Sequence, residues 1–293
     1  MVDFLKYRRV TALASALFLV TFAGFALYRY QTRGSVYTYS VDFTGGTQVL
    51  FRFDTAVDSA VIKQILSDSG WEHPHTREFG LNEVLVRVKE YESDATGLGK
   101  RMQTVIQAAL PENNVEMLQT ESVGPGVGAG LRSKSAWAII IAILLMVIYI
   151  ALRFWSFAFA AGTVAALVHD ALFMLGIFLF LDREVSVNFI AAILAVLAYS
   201  INDTIIIFSQ IRDFLKKAKN ESLDEIVNKS LNYTLRRTLL TSFATGLPLT
   251  VMVIFGGEAL RDFSLAILIG IIFGTYSSIY IASPVMMLLY SKK

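Results

Sequence analysis

The chain has 293 residues, of which 55% are hydrophobic and 17% are charged, with no cysteine and a formal net charge of +2. This composition excludes an ordinary soluble domain, which carries more charge and fewer apolar residues. The nearly balanced charge gives no support for nucleic-acid binding, and no part of the fold can depend on a disulfide.

Six long apolar stretches predict six transmembrane helices, because each is long enough to cross a hydrocarbon core of about 30 Å. The predicted spans are residues 10–28, 136–152, 154–181, 185–208, 239–255 and 263–290. The first lies in an N-terminal region, residues 1–29, that has no clear cleavage site for a signal peptidase. We therefore expect it to stay attached as an anchor.

The basic residues predict the orientation of these spans. In a six-span arrangement one side receives Lys6, Arg8, Arg9, Arg153, Arg212, Lys216, Lys217, Lys219, Lys229, Arg236, Arg237, Lys292 and Lys293. Basic loops stay on the cytoplasmic side of a membrane. Both termini are therefore expected to be cytoplasmic, and residues 30–135 extracytoplasmic.

The hydrophilic region 30–135 is predicted to form a separate α+β domain. Alternating apolar residues predict strands, and apolar residues three and four apart predict helices. The pattern indicates a strand at 47–53, a helix at 58–70, strands at 75–79 and 82–90, a helix at 97–110 and a strand at 115–122. This βαββαβ order is that of a ferredoxin-like domain, one sheet backed by two helices.

Two glycine clusters flank this domain, "DFTGGTQ" before the first strand and "SVGPGVGAGLRSKSA" after the last. Glycine adopts backbone angles that other residues avoid, so both clusters are interpreted as tight turns and hinges, with a passive linker as the alternative. The second cluster does not have the spacing of a phosphate-binding loop. The residues concerned are Asp42, Gly45, Gly46, Gly124, Pro125 and Gly126.

Residues 210–236 form a charged connection with one apolar face. That face predicts an amphipathic segment lying along the cytoplasmic membrane surface. Its apolar residues are Leu223, Ile226, Val227, Leu231 and Leu235.

A carboxylate lies inside the fourth predicted span, in the stretch "AYSINDTIIIF". An ionisable group in the hydrocarbon costs about 2.5 to 3.5 kcal/mol on insertion scales, so Asp203 is a functional candidate. Helical spacing places Tyr199, Ser200 and Thr204 on its face, which we expect to point into the helix bundle. Asn202 points about 100° away and is expected to bond a neighbouring helix or a partner chain.

Arg237 is predicted to reach the depth of Asp203 from the fifth span, where Thr241 lies one turn further along. The cation favours the charged carboxylate and burial disfavours it, so the pair is a candidate for taking up and releasing a proton. The alternative is a static ion pair with Arg237 extended toward the membrane surface.

Two further groups of polar and small residues lie within the predicted spans. His169 and Asp170 are adjacent in the middle of the third span, and they are candidates either for proton handling or for simple hydrogen bonding. In the sixth span, small residues predict a close helix contact. They are Gly270, Gly274, Ser277 and Ser278.

Several motifs together resemble the SecF side of the SecD/SecF family of bacterial protein-export subunits, over nearly the whole chain. They are "VDFTGGTQV", "SVGP", "LVHD", "SINDTIIIFSQIRD", "NKSLNYTLRRTLLTS" and "FGGEALRDFSLAILIGIIFGTYSSIYIASP". The resemblance implies a six-span half of the RND superfamily that assembles with SecD on the SecYEG channel, in association with SecA and YajC. It also implies that proton flow helps to draw unfolded exported proteins across the bacterial inner membrane, after the ATP-driven stage.

In that family an Asp of an N-D-T motif and an Arg before a T-x-x-T-S stretch are tied to proton passage, and here they match Asp203 and Arg237. Family members often have an Asp where this chain has Ser209, so no role is expected there. The implied coupling ion is the proton, with no cofactor, no metal and no enzymatic reaction.

Three other functions remain open from the residues. An RND-type exporter of small molecules or lipids would need an enclosed substrate pocket, for which about 100 residues of outer domain offer little room. An intramembrane enzyme is disfavoured because H-E-x-x-H and G-x-S-x-G are absent. A non-conducting scaffold subunit would tolerate neutral residues in place of Asp203 and Arg237.

Overall fold

The computed structural model describes residues 2–72, 74–79, 82–92, 94–218 and 220–290. The chain divides into two compact units, one formed by residues 1–38 and 137–293 and the other by residues 39–136. The first holds the long apolar helices and the second holds the sheet. We call them the helical unit and the sheet unit.

The sheet unit has the βαββαβ order predicted from the sequence. After a short helix α2 (Val41–Thr44), its elements are β1 (Gly46–Phe53), α3 (Ser59–Asp68), β2 (His75–Phe79), β3 (Glu83–Val88), α4 (Ala95–Ala109) and β4 (Val115–Val123). The strand order is β2-β3-β1-β4 and every neighbouring pair is antiparallel. Each helix therefore connects two strands that are separated by a third, as in a ferredoxin-like fold.

One apolar face of the sheet packs against α3 and α4. Alternate residues of β1 contribute Val49, Phe51 and Phe53, which are almost fully buried. Helical spacing then brings one apolar stripe from each helix onto this face. The stripes consist of Ile62 and Leu66 in α3 and of Leu98, Met102 and Ile106 in α4.

The first glycine cluster is a tight turn, as predicted. Gly45 and Gly46 both have positive φ, 74° and 108°, between α2 and β1. A side chain at Gly46 would collide with the carbonyl oxygen of Val88 in β3. Glycine is needed here for both its backbone angle and its close approach to the neighbouring strand.

The second glycine cluster differs from the prediction, because most of it is helical. Helix α5 (Pro125–Phe154) begins at Pro125, eleven residues before the predicted span, and it includes Gly126 and Gly128. Proline is favoured at the first turn of a helix because its missing N–H has no partner there. A side chain at Gly128 would lie 2.9 Å from the nitrogen of Gly45, so its smallness serves close packing and not a tight turn.

The helical unit contains helices long and apolar enough to cross a membrane, six of them among the described residues. They are α1 (Arg8–Arg33), α5, α6 (Phe157–Phe180), α7 (Val187–Lys217), α8 (Leu223–Phe255) and the last helix, made of α9 (Gly257–Ser277) and α10 (Ser283–Leu289). Much of α6 and α7 is buried, whereas α1, α5 and α8 are largely exposed. The predicted fold class, six membrane helices with a ferredoxin-like α+β domain, is confirmed.

The structure corrects the predicted surface segment 210–236. Helix α7 continues to Lys217, and α8 begins at Leu223 with a capping box between Ser222 and Glu225. On the predicted apolar face, Ile226, Val227 and Leu231 are buried inside the protein. An apolar stripe has the same pattern whether it covers a lipid surface or a neighbouring helix, and here it covers protein.

Candidate functional site

The buried polar side chains of the helical unit lie near the middle of α6 and α7. Asp170 of α6 is fully buried and Asp203 of α7 is 1% exposed. The predicted span ended at residue 208 and placed Asp203 close to its end. Because α7 runs on to Lys217, Asp203 instead lies near the midpoint of the helix.

Asp170 has polar neighbours on its own helix and on other helices. The Ser200 hydroxyl of α7 donates to Asp170 Oδ2 at 2.6 Å, and His169 Nδ1 lies 3.5 Å from Asp170 Oδ1. Ser277 of α9 is also close enough to influence this carboxyl group, while its hydroxyl donates to the carbonyl oxygen of Gly274 at 3.1 Å. Side chains of α6, α7 and α9 therefore meet at one carboxyl group.

His169 extends this network to α1. Its Nε2 lies 3.1 Å from Ser15 Oγ, and Ser15 Oγ lies 3.0 Å from the hydroxyl of Tyr276. The Tyr276 hydroxyl donates to the carbonyl oxygen of Thr11 at 2.8 Å. The His169 ring also stacks on Phe173, with centroids 4.3 Å apart. Ser15 and Tyr276 were not predicted from the sequence, because nothing in a single serine or tyrosine marks it as a partner of a distant histidine.

Asp203 has a different environment. Its Oδ2 is buried without a hydrogen-bond partner among the described residues, and so is the hydroxyl of Thr238 on α8. Thr204 donates to the carbonyl oxygen of Ser200 in its own helix at 3.2 Å. Ser200, Asp203 and Thr204 all face inward, as their spacing predicts, while Tyr199 is half-buried and donates to Ser242 Oγ at 3.3 Å.

Arg237 does not form the expected ion pair. Its side chain is exposed, and no ion pair joins it to Asp203 in the described part of the chain, although it is near enough to act on Asp203 electrostatically. On α8 the residues that face inward are Thr234 and Thr238, four positions apart. Position 237 is rotated about 100° from position 238, so the arginine points outward.

Two other predicted residues also face outward. Thr241 is exposed and donates to the carbonyl oxygens of Arg237 and Thr238 in its own helix. Asn202 is exposed as well, as its angle from Asp203 predicts. In this structure Asn202, Arg237 and Thr241 therefore present polar groups on the outer surface of apolar helices.

The small residues of α9 let it approach α7 closely. A side chain at Gly270 would collide with Val196, and a Cβ at Gly274 would lie 3.1 Å from Ser200 Cβ. Ser277 and Ser278 are fully buried, and a π-helical turn (Ser278–Ala282) follows them. Such turns are frequent at functional sites. The close approach of α9 brings Ser277 to Asp170.

A second polar cluster lies near the α6–α7 connection and was missed by the sequence analysis. Arg29 of α1 is buried and ion-paired with Asp182, which also lies 3.5 Å from Arg33. Burial raises the pKa of Asp182 but the two arginines outweigh it, so the pKa is below its ordinary value. Two signals were available in the sequence: the basic end of α1 and the acidic connection between α6 and α7.

No group of three or more His, Asp or Glu side chains among the described residues could hold a metal ion. The described site instead brings together carboxyl, imidazole and hydroxyl groups, all of which can donate or accept hydrogen bonds.

Comparison with known proteins identifies the family. The model for "Protein export membrane protein SecD/SecF, C-terminal" matches residues 103–292, and the "SecD/SecF GG Motif" model matches residues 38–57. The protein translocase subunit SecF of Magnetococcus marinus is 38% identical over 286 residues, which are 96% of this chain and 90% of the relative. The SecF subunit of Rhodothermus marinus is 37% identical over 251 residues, 84% of this chain and 81% of the relative.

Two solved structures of SecDF are also similar. The crystal structure of SecDF from Thermus thermophilus, described as a translocon-associated membrane protein, matches 98% of this chain with 32% identity and a TM-score of 0.86. A SecDF structure in a super-membrane-facing form matches with the same identity and a TM-score of 0.69. This chain spans 38% of the length of each SecDF chain. The chain therefore belongs to the SecD/SecF family of protein-export membrane proteins, on its SecF side.

Proposed function

We propose that this chain is a subunit of the bacterial Sec machinery that, with SecD, uses the proton-motive force to assist translocation of secreted proteins after the ATP-driven stage. The coupling ion is the proton, and neither a cofactor nor an enzymatic reaction is part of the proposal. One observation carries it: two carboxyl groups, Asp170 and Asp203, are buried at the centre of the membrane helices. Ionisable groups at this depth are rare and mark ion and proton pathways.

The missing partner of Asp203 makes it the better candidate for the coupling step. A buried carboxylate is stable as a charge only when a cation or several donors surround it. In the described structure neither Arg237 nor any hydroxyl donates to its Oδ2. We propose that protonated Asp203 occupies the present arrangement, and that loss of the proton requires Arg237 or another donor to approach. Protonation is thereby linked to a movement of α7 against α8.

The energy available is of the right size for such a movement. A proton that crosses the membrane potential releases roughly 2.3 kcal/mol per 100 mV. This is comparable with the few kcal/mol that separate the two states of a typical conformational equilibrium. The two SecDF structures match this chain with the same identity and different TM-scores, which supports more than one arrangement of the matched region in SecDF.

The exposed polar residues support SecD as a partner in the membrane. Asn202 and Arg237 both lie on the outside of apolar helices. Polar groups inside a membrane normally face other protein, because lipid tails cannot hydrogen-bond them. We propose that a SecD helix bearing hydrogen-bond acceptors covers this surface. The SecDF matches, each with sequence beyond the region that this chain covers, are consistent with that arrangement.

The proposed location is the bacterial cytoplasmic membrane, with both termini in the cytoplasm and residues 30–135 outside. The one-sided distribution of Lys and Arg supports this orientation. The sheet unit would then meet the unfolded exported protein as it leaves SecYEG, while contacts with SecA and YajC follow from the family alone.

The test is the variant Asp203→Asn, which keeps the size of the side chain and cannot exchange a proton. We would reconstitute the chain with SecD and SecYEG in vesicles and measure proton flux and export under an imposed pH gradient. We expect both proton flux and gradient-dependent export to be lost, while SecD still co-purifies with the variant as it does with the parent chain. Asp213→Asn is the matched control, since Asp213 is exposed on the same helix.

Normal flux and export by a correctly assembled Asp203→Asn variant would contradict the proposal and favour a non-conducting scaffold. Lost flux with unchanged export would favour an exporter of small molecules or lipids.

A further inference from the structure

The polar network around His169 contains one group whose role in hydrogen bonding is unambiguous. The Tyr276 hydroxyl lies 2.8 Å from the carbonyl oxygen of Thr11. A carbonyl oxygen has no hydrogen and can only accept, so Tyr276 must donate to Thr11. This contact sets the direction of the hydrogen bonds that follow.

The donor role of Tyr276 fixes the donor and acceptor roles in the next two hydrogen bonds, up to the imidazole. A tyrosine hydroxyl has a single hydrogen, so in the contact of 3.0 Å with Ser15 Oγ the serine must be the donor. The single hydrogen of Ser15 is then in use. Ser15 can therefore only accept from His169 Nε2, which lies 3.1 Å away. It follows that Nε2 carries a hydrogen.

The tautomer determines what the other ring nitrogen can do. When Nε2 carries the hydrogen of a neutral imidazole, Nδ1 has a free lone pair. Nδ1 faces Asp170 Oδ1 at 3.5 Å, while Asp170 Oδ2 accepts from Ser200. A proton on Asp170 Oδ1 can thus be donated to Nδ1. If it transfers, the O–H bond breaks, an N–H bond forms, and a carboxylate faces an imidazolium.

We propose that His169 and Asp170 form a second proton-holding site, in which one proton is shared between Asp170 Oδ1 and His169 Nδ1 and the chain from Thr11 through Tyr276 and Ser15 fixes the tautomer. Tyr276 and Ser15 are positioning residues, since they act on the proton through the imidazole. The use of this site in transport rests on the proposed proton-coupled function.

The surroundings favour one proton at this pair. His169 is buried, as is the ring of Phe173 on which it stacks. Three titratable groups of the neighbouring elements lie near the pair: Tyr276, which stacks on His169, Tyr280, which contacts the Tyr276 ring, and Asp203, one turn along α7 from Ser200. No Lys or Arg forms an ion pair with Asp170 in the described ranges. Without such a cation, a charged Asp170 would need the His169 imidazolium as its counterion.

The experiment is a direct measurement of the tautomer. The chain has three histidines, so His73→Gln and His75→Gln leave His169 as the single imidazole. We would label histidine with 15N and record NMR spectra of the full chain with SecD in lipid bilayers. We expect two widely separated ring-nitrogen signals, with the hydrogen on Nε2 in the neutral form.

Three variants test the parts of the proposal. Tyr276→Phe removes the directing hydroxyl, so we expect loss of the single tautomer and a mixture of Nδ1–H and Nε2–H. Tyr280→Phe is the matched control, since Tyr280 contacts the Tyr276 ring and has no place in the hydrogen-bond chain, and we expect no change. In Asp170→Asn the side-chain amide can donate a hydrogen bond to Nδ1 but cannot transfer a proton to it. We therefore expect the Nε2–H tautomer to persist and the imidazolium form to be lost.

A neutral Nδ1–H tautomer in the parent chain, or an unchanged tautomer in Tyr276→Phe, would overturn the inference. These spectra are independent of proton flux. Normal flux with the wrong tautomer would refute this site alone, whereas the expected spectra without flux would refute the proposed function alone.

Discussion

Asp170 and Asp203 are equally deep in the same helical unit, but their surroundings are opposite. Asp170 is hydrogen-bonded by Ser200 and faces His169, whereas Asp203 Oδ2 has no partner among the described residues. A satisfied buried network stabilises one arrangement of helices, and an unsatisfied group gains free energy from any arrangement that supplies a partner. Asp170 is therefore suited to stabilising the present arrangement of the helices, and Asp203 is suited to favouring a different arrangement.

The largest expected difference in stability is between the alanine variants of these two residues. Asp170→Ala leaves the buried Ser200 hydroxyl without its acceptor and His169 Nδ1 without its partner, at a cost of about 1–3 kcal/mol in the free energy of unfolding for each such group. Asp203→Ala loses no hydrogen bond from Oδ2, and we expect a change below about 1 kcal/mol. Chemical unfolding of the isolated chain in mixed micelles would measure both.

Asp170→Asn is the control for side-chain size and should lie between the two alanine variants. Equal destabilisation by Asp170→Ala and Asp203→Ala would remove the distinction between the two sites.

The next effect tests whether packing of α9 on α7 sets the geometry around Asp170. In Gly274→Ala the new Cβ lies 3.1 Å from Ser200 Cβ, so the helices must separate slightly. We expect a loss of about 1–3 kcal/mol in the free energy of unfolding, as for other overpacked contacts. Gly24→Ala in α1 is the control, because no atom lies within 4 Å of its Cβ.

A smaller effect is expected at the ion pair between Asp182 and Arg29. Asp182 is 54% exposed, so Asp182→Asn should cost less than about 1 kcal/mol in the free energy of unfolding. Because its pKa is held below the ordinary value of 3.8, the contribution is present above that pH and lost as the pH falls through the lower, folded-state value. Between pH 7 and pH 3, the difference in unfolding free energy between the parent and the variant should therefore start to shrink once the pH falls below 3.8. A constant difference across this range would refute the assignment.

The smallest effect is expected for Arg237→Gln in the isolated chain. The side chain is exposed and makes no ion pair with Asp203, so its removal should not change the free energy of unfolding. In the presence of SecD we expect weaker co-purification, since the polar surface around Asn202 would then lose its cation. Destabilisation of the isolated chain would indicate that Arg237 already pairs with Asp203.

Two residues show how far the sequence could predict the site. The inward direction of Asp203 follows from its polar neighbours at three and four positions, because helical periodicity is local. Arg237 was expected to reach Asp203, but the structure buries Thr234 and Thr238 of α8 while Arg237 and Thr241 are exposed. The rotation of a helix about its axis depends on its neighbours, which a single helix sequence does not specify.

The second glycine cluster shows the same limit for the backbone. Glycine and proline predict turns from their own conformational preferences, and at Gly45 and Gly46 the positive φ angles agree. At Gly126 and Gly128 the same residue type is helical. The close approach to the Gly45 turn requires a small residue at position 128, and this requirement arises only in the packed structure.

The sequence by itself determined the six apolar helices, the βαββαβ order and the presence of carboxyl groups in the membrane spans, because these follow from length and periodicity along the chain. Only the tertiary structure decided which polar groups meet. Ser15 reaches His169 from 154 positions away, and Ser200 reaches Asp170 from a neighbouring helix. Hydrogen bonds between helices depend on crossing distance and rotation, which come from packing small residues such as Gly274 against their neighbours.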